Sequence, residues 1–517
     1  MPRPLTTEGR NSSLLWSPDG ARLAFRSTRR NGRSSDVWLM DSESPEAARM
    51  ILQAPNYSWW APAAWSSDGR FLAVSEYCSV TWRRAYVVDV ETGVSRLVAG
   101  GDESGIFDPA GFTADGTGLF LVTDQLGEHA QLALLDLERG GAPRLVSGDL
   151  AHDVTSFRRC GSKAAFVINR DGYGEIRLLD LTTLEHRPLQ GLPKGLAGGL
   201  RFSEDGRRLA FNVDTSTAPA EVWSVELGAG PFDHEEPVRW TFSEVGGLAP
   251  STFVEPQLVS YPTFDDDPGT GERRCIPAFV YRPRSSGPHP VVLRIHGGPE
   301  SQFRPGFNPP IQAWVDRLGV AVIAPNVRGS SGYGKTYLRL DDGKLREDSV
   351  RDIGALLDWI ETQDDLDASR VAVYGGSYGG YMVLASLVHY SDRLRCGVDL
   401  VGISNFVTFL ENTQSYRRDL RRQEYGDERD PEMRAFLESI SPNRNAERIE
   451  APLFVAQGHN DPRVPYTEAE QIAADVRRTG KTVWYLDALD EGHGFRKKET
   501  RDLFEQATVL FFETHLL

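Results

Sequence analysis

Cysteine is scarce in this chain, with four residues in 517 and no Cys-x-x-Cys pair. Cys78, Cys160, Cys275 and Cys396 are far apart, so neither a zinc site nor a disulfide framework is expected. We therefore expect no metal and no cofactor. A reduced, cytoplasmic protein is the simplest interpretation.

Long apolar runs and an excess of basic residues are also missing. No apolar run of about 18 residues occurs, so no membrane span is expected. The first residues lack the apolar segment of a secretory signal. Acidic residues outnumber basic ones by 73 to 57, and the resulting net charge of -16 argues against nucleic acid as a partner.

A repeated turn organises the first half of the sequence. An aromatic residue followed by a short polar run and glycine recurs at intervals of 45 to 49 residues, with glycines at Gly20, Gly69, Gly116, Gly161 and Gly206. Apolar strand patterns follow each turn. Asp-Gly pairs supply the positive-φ residues that tight turns between strands need. A repeat of this length with several short strands predicts the blades of a β-propeller.

The second half changes to strands that alternate with helices, notably over 349–362, 467–478 and 500–513. This alternation indicates a mostly parallel sheet covered by helices on both faces. We predict an N-terminal all-β propeller with about five recognisable blades over residues 1–250. An α/β-hydrolase domain is predicted to follow over residues 251–517.

Ser377 lies in the segment Gly375 to Gly379, which reads Gly-Gly-Ser-Tyr-Gly between an apolar strand and a helix. This is the pattern of a nucleophile elbow, where a sharp turn exposes the serine at the end of a strand. Asp461 and His493 follow in loops after two later strands, in the order expected for a catalytic triad. His493 is predicted to be the general base, and Asp461 to orient it. His459, on the loop of the acid, is interpreted as structural.

Acyl transfer also needs two donors for the oxyanion. The N–H of Tyr378 is one candidate, since it directly follows the nucleophile. The loop of His296 to Pro299, which reads His-Gly-Gly-Pro after an apolar strand, is expected to supply the other.

These motifs together resemble the prolyl oligopeptidase family of serine peptidases, and most closely its acylaminoacyl-peptidase branch. The residues that carry the resemblance are His296 to Pro299, Asn326 to Gly334, Gly375 to Gly380, Asp461 to Pro465 and Glu491 to Gly494. The resemblance implies that the Gly298 N–H completes the oxyanion hole and that Arg463 binds a substrate backbone carbonyl. It also implies short peptides as substrates. Relatives usually carry more blades, so a smaller propeller and the lack of first blades both stay open.

Several residues have two interpretations. Glu300 could bind a substrate amine, although the paired-glutamate motif of the dipeptidyl-peptidase branch has no convincing counterpart, and Glu235-Glu236 fits a solvated linker. Phe406 and Phe409 could line the P1 pocket or belong to the core. The pair Arg421-Arg422 is interpreted as a solvated helix face or as local ion pairs.

Two rival functions stay open. The same triad would serve a carboxylesterase or small-amide hydrolase. A non-catalytic propeller protein, with the hydrolase half as a scaffold, is the other rival. Exo- or endopeptidase action and a homo-oligomeric state are equally open.

Overall fold

The computed structural model describes residues 4–102, 104–148, 150–246 and 248–517. The chain divides into two compact units. The first contains the residues up to 213, with 220–242 and 332–335, and the second contains 214–219, 243–331 and 336–517. The predicted boundary at residue 250 stays a prediction of the sequence.

Five four-stranded antiparallel sheets form the N-terminal region, and they are the five predicted blades of a β-propeller. The strands of the successive blades are β1 Asn11–Trp16, β2 Arg22–Ser27, β3 Asp36–Asp41 and β4 Arg49–Leu52; β5 Trp59–Trp65, β6 Phe71–Ser79, β7 Trp82–Asp89 and β8 Ser95–Ala99; β9 Phe107–Phe112, β10 Gly118–Thr123, β11 Gln131–Asp136 and β12 Arg144–Leu145; β13 Asp153–Cys160, β14 Lys163–Arg170, β15 Tyr173–Asp180 and β16 His186–Pro188; β17 Leu196–Phe202, β18 Arg208–Thr215, β19 Ala218–Glu226 and β20 Val238–Arg239.

The repeated turn joins the first and second strands of each blade. Its glycine has a φ between 60° and 75° in all five blades, as predicted from the Asp-Gly pairs. In the first blade Ser17 Oγ donates to Asp19 Oδ1 over 2.5 Å, and the Gly20 N–H donates to the Ser17 carbonyl. The serine or threonine thus fixes the aspartate, which explains why the pattern repeats with the blades.

The core of the propeller consists of apolar layers between consecutive blades. Leu39 packs in one cluster with Val74 of the next blade, and Val87 shares a cluster with Leu121. Phe120 and Phe157 join the third and fourth blades, with ring centroids 4.8 Å apart. The period-2 alternation of each strand therefore buries side chains on both faces of a blade.

One eight-stranded sheet organises the rest of the chain, as expected for an α/β hydrolase. Its strands are β21 Gln257–Asp266, β22 Arg273–Tyr281, β23 His289–Ile295, β24 Ala321–Pro325, β25 Leu366–Gly376, β26 Cys396–Leu400, β27 Leu453–Gly458 and β28 Val483–Ala488. The helices are α1 Pro309–Ala313, α2 Lys335–Leu338, α3 Asp348–Glu361, α4 Tyr378–Tyr390, α5 Phe406–Asn412, α6 Ser415–Tyr425, α7 Pro431–Ser439, α8 Tyr466–Arg478 and α9 Lys498–His515. Short 3₁₀ helices lie at Pro45–Ala47, Pro250–Thr252, Gly343–Leu345 and Pro442–Arg448, and a π-helical turn lies at Trp314–Leu318.

The order of the strands is β21-β22-β24-β23-β25-β26-β27-β28. The pairs β21–β22 and β22–β24 are antiparallel. The other six strands, which are neighbours in the order β24-β23-β25-β26-β27-β28, run parallel to one another. The parallel strands bring their carboxyl ends to one edge of the sheet, which is where open α/β sheets place their sites. No helix of the described residues is long and apolar enough to cross a membrane.

Candidate active site

Ser377 occupies the turn between β25 and α4. Its backbone has a φ of 59° and a ψ of -122°, a strained conformation for a residue with a side chain. Gly375 and Gly379 permit the turn, because a side chain on Gly375 would meet the Gly379 carbonyl and one on Gly379 would meet the Ile295 carbonyl. The backbone around Ser377 therefore has the geometry of a nucleophile elbow.

Asp461 and His493 lie together at the same edge of the sheet, after β27 and β28. His493 Nδ1 is 2.6 Å from Asp461 Oδ2. The Asp461 side chain is fully buried, and its other oxygen accepts hydrogen bonds from the N–H groups of Arg463 and Val464. The carboxylate is thus held in place and fixes the imidazole through Nδ1, which leaves Nε2 for a reacting hydroxyl.

Ser377 and His493 form no hydrogen bond with each other within the described part of the chain. Long catalytic hydrogen bonds are common in hydrolases without substrate. His459 is engaged elsewhere: its ring stacks on Tyr466 at 4.3 Å, and its Nδ1 is 3.1 Å from Asp487 Oδ2. This engagement fits the structural role that the sequence suggested for His459.

The loop after β23 lies directly against the serine. A side chain on Gly297 would begin 3.3 Å from Ser377 Cβ. Gly298 is anchored through its carbonyl, which accepts from Arg421 Nη1 at 3.2 Å and from the Tyr425 hydroxyl at 3.4 Å. The backbone N–H groups of Gly298 and Tyr378 have no acceptor among the residues that the structure describes. Both are therefore available as donors for an oxyanion.

Arg463 extends from the loop of the acid and is exposed. Its N–H donates to Asp461, and its carbonyl accepts from Thr413 Oγ1 at 2.7 Å. Burial lowers the pKa of Arg417, and the charges of Arg421 and Arg463 lower it further, so these guanidinium groups lie near one another. The backbone of Arg463 is thus fixed while its side chain remains free to contact a ligand.

Glu300 is mostly buried and forms an ion pair with Arg421 over 3.0 Å. Burial opposes the ionisation of Glu300, but the charge of Arg421 and the hydrogen bonds from Glu424 and Arg421 together hold the pKa of that carboxyl below its usual value. Burial raises the pKa of the neighbouring Glu424 well above its usual value. The two carboxyl groups thus share Arg421, and an incoming amine would compete with Arg421 for Glu300.

Phe406 and Phe409 are both buried in the hydrophobic core. The ring of Phe406 lies 4.6 Å from that of Tyr381 and 5.1 Å from that of Tyr425, and Phe409 lies 6.0 Å from Tyr425. This burial favours the core interpretation of both residues. A role in lining the P1 pocket stays a prediction.

A buried polar network lies next to the nucleophile elbow, and the sequence did not predict it. Arg346 is fully buried and bonds to Asp341 at 2.6 Å, to the Tyr378 hydroxyl at 3.2 Å and to the Glu424 carbonyl at 2.9 Å. Burial raises the pKa of Asp341 to about 7, although Arg346 opposes this shift. The spacing of Arg421 and Glu424, three residues apart in α6, was the signal that could have revealed part of this network.

Comparison with known proteins shows a family match in the C-terminal part of the chain. Residues 305–517 match the model of the prolyl oligopeptidase family. The predicted resemblance is confirmed.

Two characterised relatives illustrate the degree of similarity within the family. Dipeptidyl aminopeptidase BIII of Pseudoxanthomonas mexicana is 31% identical over 317 residues, which are 58% of this chain and 45% of that protein. The acylamino-acid-releasing enzyme of Homo sapiens is 25% identical over 237 residues, 44% of this chain and 31% of that protein. The chain thus spans less than half the length of these relatives.

The structural similarity extends over both halves. The crystal structure of puromycin hydrolase superposes with a TM-score of 0.84 at 22% identity, over 98% of this chain and 80% of that one. At this level of identity the likeness establishes the fold, a propeller combined with an α/β hydrolase.

Proposed function

We propose that the chain is a serine peptidase that hydrolyses peptide bonds of short peptides through an acyl-enzyme on Ser377. The observation that carries the proposal is the buried Asp461–His493 pair at the sheet edge where the strained elbow presents Ser377. The match of residues 305–517 to the model of the prolyl oligopeptidase family supports it.

In the proposed reaction His493 Nε2 takes the proton of the Ser377 hydroxyl as its oxygen bonds to the substrate carbonyl carbon. The N–H groups of Gly298 and Tyr378 stabilise the negative charge that develops on the carbonyl oxygen. His493 then gives its proton to the leaving amine as the C–N bond breaks. Water hydrolyses the acyl-enzyme by the same steps, and Asp461 stabilises the imidazolium in both halves.

Substrate binding is assigned to Arg463 and to the propeller. Arg463 is proposed to bind a backbone carbonyl, because its exposed guanidinium offers several donors from a fixed loop. The propeller is proposed to restrict substrates to short peptides. Acylaminoacyl-peptidase and oligopeptidase specificities are both compatible with the site, and so is a dipeptidyl specificity like that named for the bacterial relative. A cytoplasmic location and a homo-oligomeric state remain predictions.

Replacement of the nucleophile tests the central step. Ser377→Ala should lower kcat by about 10⁴-fold or more on a peptide substrate and abolish labelling by a fluorophosphonate probe. Ser369→Ala is the matched control, because Ser369 is an exposed serine on the same strand. More than a tenth of wild-type activity in pure Ser377→Ala protein would contradict the assignment.

A carboxylesterase is the second candidate, since the same geometry attacks esters, which need less help for the leaving group. Digestion of a peptide library read by mass spectrometry distinguishes the two. Efficient peptide cleavage supports a peptidase, whereas turnover of short acyl esters without peptide cleavage supports the esterase. The cleaved positions also show exo- or endopeptidase action.

A further inference from the structure

A cavity at the carboxyl ends of the first strands of the propeller blades has no part in the proposed peptidase reaction. Its volume is about 480 Å³, within the range of small-molecule sites. The first strands of all five blades, β1, β5, β9, β13 and β17, contribute to its walls. The lining therefore belongs entirely to the first unit.

Three arginines supply the charge of this cavity. Arg158, Arg159 and Arg201 line it, and no acidic residue does. Such a lining is unusual in a chain whose net charge is -16. Clefts with one sign of charge concentrate ligands of the opposite sign, so this cavity should attract anions.

The guanidinium groups have few protein partners. Arg158 Nη1 donates to the carbonyl of Phe157 at 2.7 Å, and Arg201 Nη1 donates to the carbonyl of Leu200 at 2.9 Å. Within the described residues neither arginine forms an ion pair with a carboxylate. Partial burial of its guanidinium lowers the pKa of Arg158, although the residue as a whole is exposed, and the charge of Arg201 lowers it further. Two cations thus face each other with donors to spare, an arrangement that a bound anion would stabilise.

Arg159 differs from the other two. Its Nε donates to the Phe112 carbonyl at 2.5 Å and its Nη2 to Ser67 Oγ at 3.3 Å. Burial lowers the pKa of Arg159, and Cys160 and Asp115 oppose this effect. Arg159 therefore holds the wall of the cavity, and Arg158 and Arg201 remain as the ligand-binding pair.

The rest of the lining is apolar, and part of it is accessible. Leu14 is 64% exposed and Trp16 is 54% exposed, although both are large hydrophobic residues. Trp65 and the buried Phe112 and Phe157 complete the aromatic part of the wall. A ligand for this cavity therefore needs an anionic group that accepts hydrogen bonds from the guanidinium groups. It also needs apolar groups that pack against the walls.

We propose that the propeller cavity binds the carboxylate of a short peptide, from its C-terminus or an acidic side chain, between Arg158 and Arg201. A peptide fits better than a bare inorganic anion, because its apolar side chains cover Leu14 and Trp16. Its carboxylate accepts a pair of hydrogen bonds from one arginine guanidinium. The site is independent of the triad and holds whether the chain hydrolyses peptides or esters.

Binding to the full-length Ser377→Ala chain tests the proposal, since the peptide stays intact there. An acetylated pentapeptide with leucines, one glutamate and a free C-terminus is compared by calorimetry with its glutamine, C-amidated analogue. The acidic peptide should bind at least tenfold more tightly, and raised salt should weaken it. Equal affinity for both peptides would overturn the proposal. So would binding of inorganic phosphate as tight as that of the acidic peptide.

Substitutions locate the site. Arg158→Gln with Arg201→Gln should weaken the acidic peptide at least tenfold and leave hydrolysis of a small ester unchanged in the Ser377-containing chain. Arg139→Gln is the control, because Arg139 is an exposed propeller arginine outside the cavity. Unchanged affinity in the double variant would refute the site.

Photo-crosslinking covers the case in which the double variant fails to fold. A benzophenone residue next to the glutamate of the acidic peptide should attach to the strand ends around Trp16, Trp65 or Phe112 of the Ser377→Ala chain. Attachment confined to other parts of the chain would refute the proposal without any arginine substitution.

Discussion

Asp399 offers the sharpest test of how burial of a carboxyl group makes the stability of this protein depend on pH. It lies in β26 beside the elbow strand, opposite Gly375, and is completely buried. Neither carboxylate oxygen accepts a hydrogen bond of good geometry from the described residues, although the Gly402 N–H lies close to the carboxyl. Gly380 and Gly402 close around it so tightly that a side chain on either would meet Oδ1. Burial raises the pKa of Asp399 to about 7, with the Glu468 charge adding to the rise and the Gly402 N–H opposing it.

The sign of the effect follows from linkage. The ordinary pKa of an aspartate is about 3.9, so between about pH 4 and pH 7 the folded chain holds a proton here that the unfolded chain has lost. The associated stability is fully present below about pH 4 and is lost as the pH rises through the folded pKa of about 7. The rise of the Asp399 pKa from its ordinary value to about 7 corresponds to about 4 kcal/mol.

Asp399→Asn removes this titration and keeps the shape of the side chain. Relative to the wild type, the variant should gain about 2–4 kcal/mol of unfolding free energy on going from pH 5 to pH 8. The measurement is urea-induced unfolding at both pH values and constant ionic strength. Asp392→Asn, which replaces an exposed carboxylate in the preceding loop, is the control and should show no such gain.

Two outcomes would refute this reasoning. The first is a difference between Asp399→Asn and wild type that is the same at pH 5 and pH 8. The second is a variant that loses more stability at pH 8 than at pH 5, since that would mean an ionised, stabilised carboxylate in the folded protein.

Three further predictions concern the proposed substrate contacts. Arg463→Ala should lower kcat/KM on a peptide by about 10- to 100-fold and have less effect on a small activated ester, because a charged hydrogen bond to a carbonyl is worth about 1.5–3 kcal/mol; equal losses on both substrates would assign Arg463 to the triad loop. Glu300→Gln should lower kcat/KM about tenfold on peptides with a free amine and leave their acetylated forms unaffected if Glu300 binds that amine; equal losses would mean that Glu300 serves only the ion pair with Arg421. Digestion of a length series of unstructured peptides beside a stable folded protein should show cleavage of the peptides alone, and efficient internal cleavage of the folded protein would reject size selection by the propeller.

The repeat pattern predicted the propeller well, because each blade carries its own local signal. The Asp-Gly turns fix a positive φ and a hydrogen-bonded aspartate within a few residues, independently of distant contacts. Even the degenerate turn at Cys160–Gly161 keeps a positive φ at its glycine. Blade number is thus readable from the sequence.

The long helices and the central strands of the hydrolase were also predictable. The helix predicted over 349–362 is α3, Asp348–Glu361, and the one over 467–478 is α8, Tyr466–Arg478. Strand β21 was missed, since Pro262 interrupts its apolar pattern and an acidic run ends it. Its antiparallel pairing with β22 stabilises a segment whose own sequence favours a loop.

Contacts between residues that are far apart in the chain could not be predicted from the sequence. Arg421 was interpreted as a solvated residue or a local ion pair, and its partner Glu300 lies 121 positions away in the chain. Local spacing gives Glu424 but not Glu300, and it gives no sign that the three groups are buried together. Burial controls the pKa values of Glu300 and Glu424, so these values could not be predicted without the fold.

The buried network also gives a physical reason for the strained serine. A non-glycine residue with the backbone of Ser377 costs about 1–3 kcal/mol and persists only where the surroundings hold it. Here Tyr378, the next residue, is held by hydrogen bonds from its hydroxyl to Asp341 and from Arg346, and its ring stacks on Tyr425 at 6.1 Å. Tyr425 in turn donates to the Gly298 carbonyl, so the same group of side chains supports the elbow and the oxyanion loop. Uncompensated burial of these charges would destabilise the fold, but their mutual hydrogen bonds offset that cost and hold both backbone segments in one arrangement.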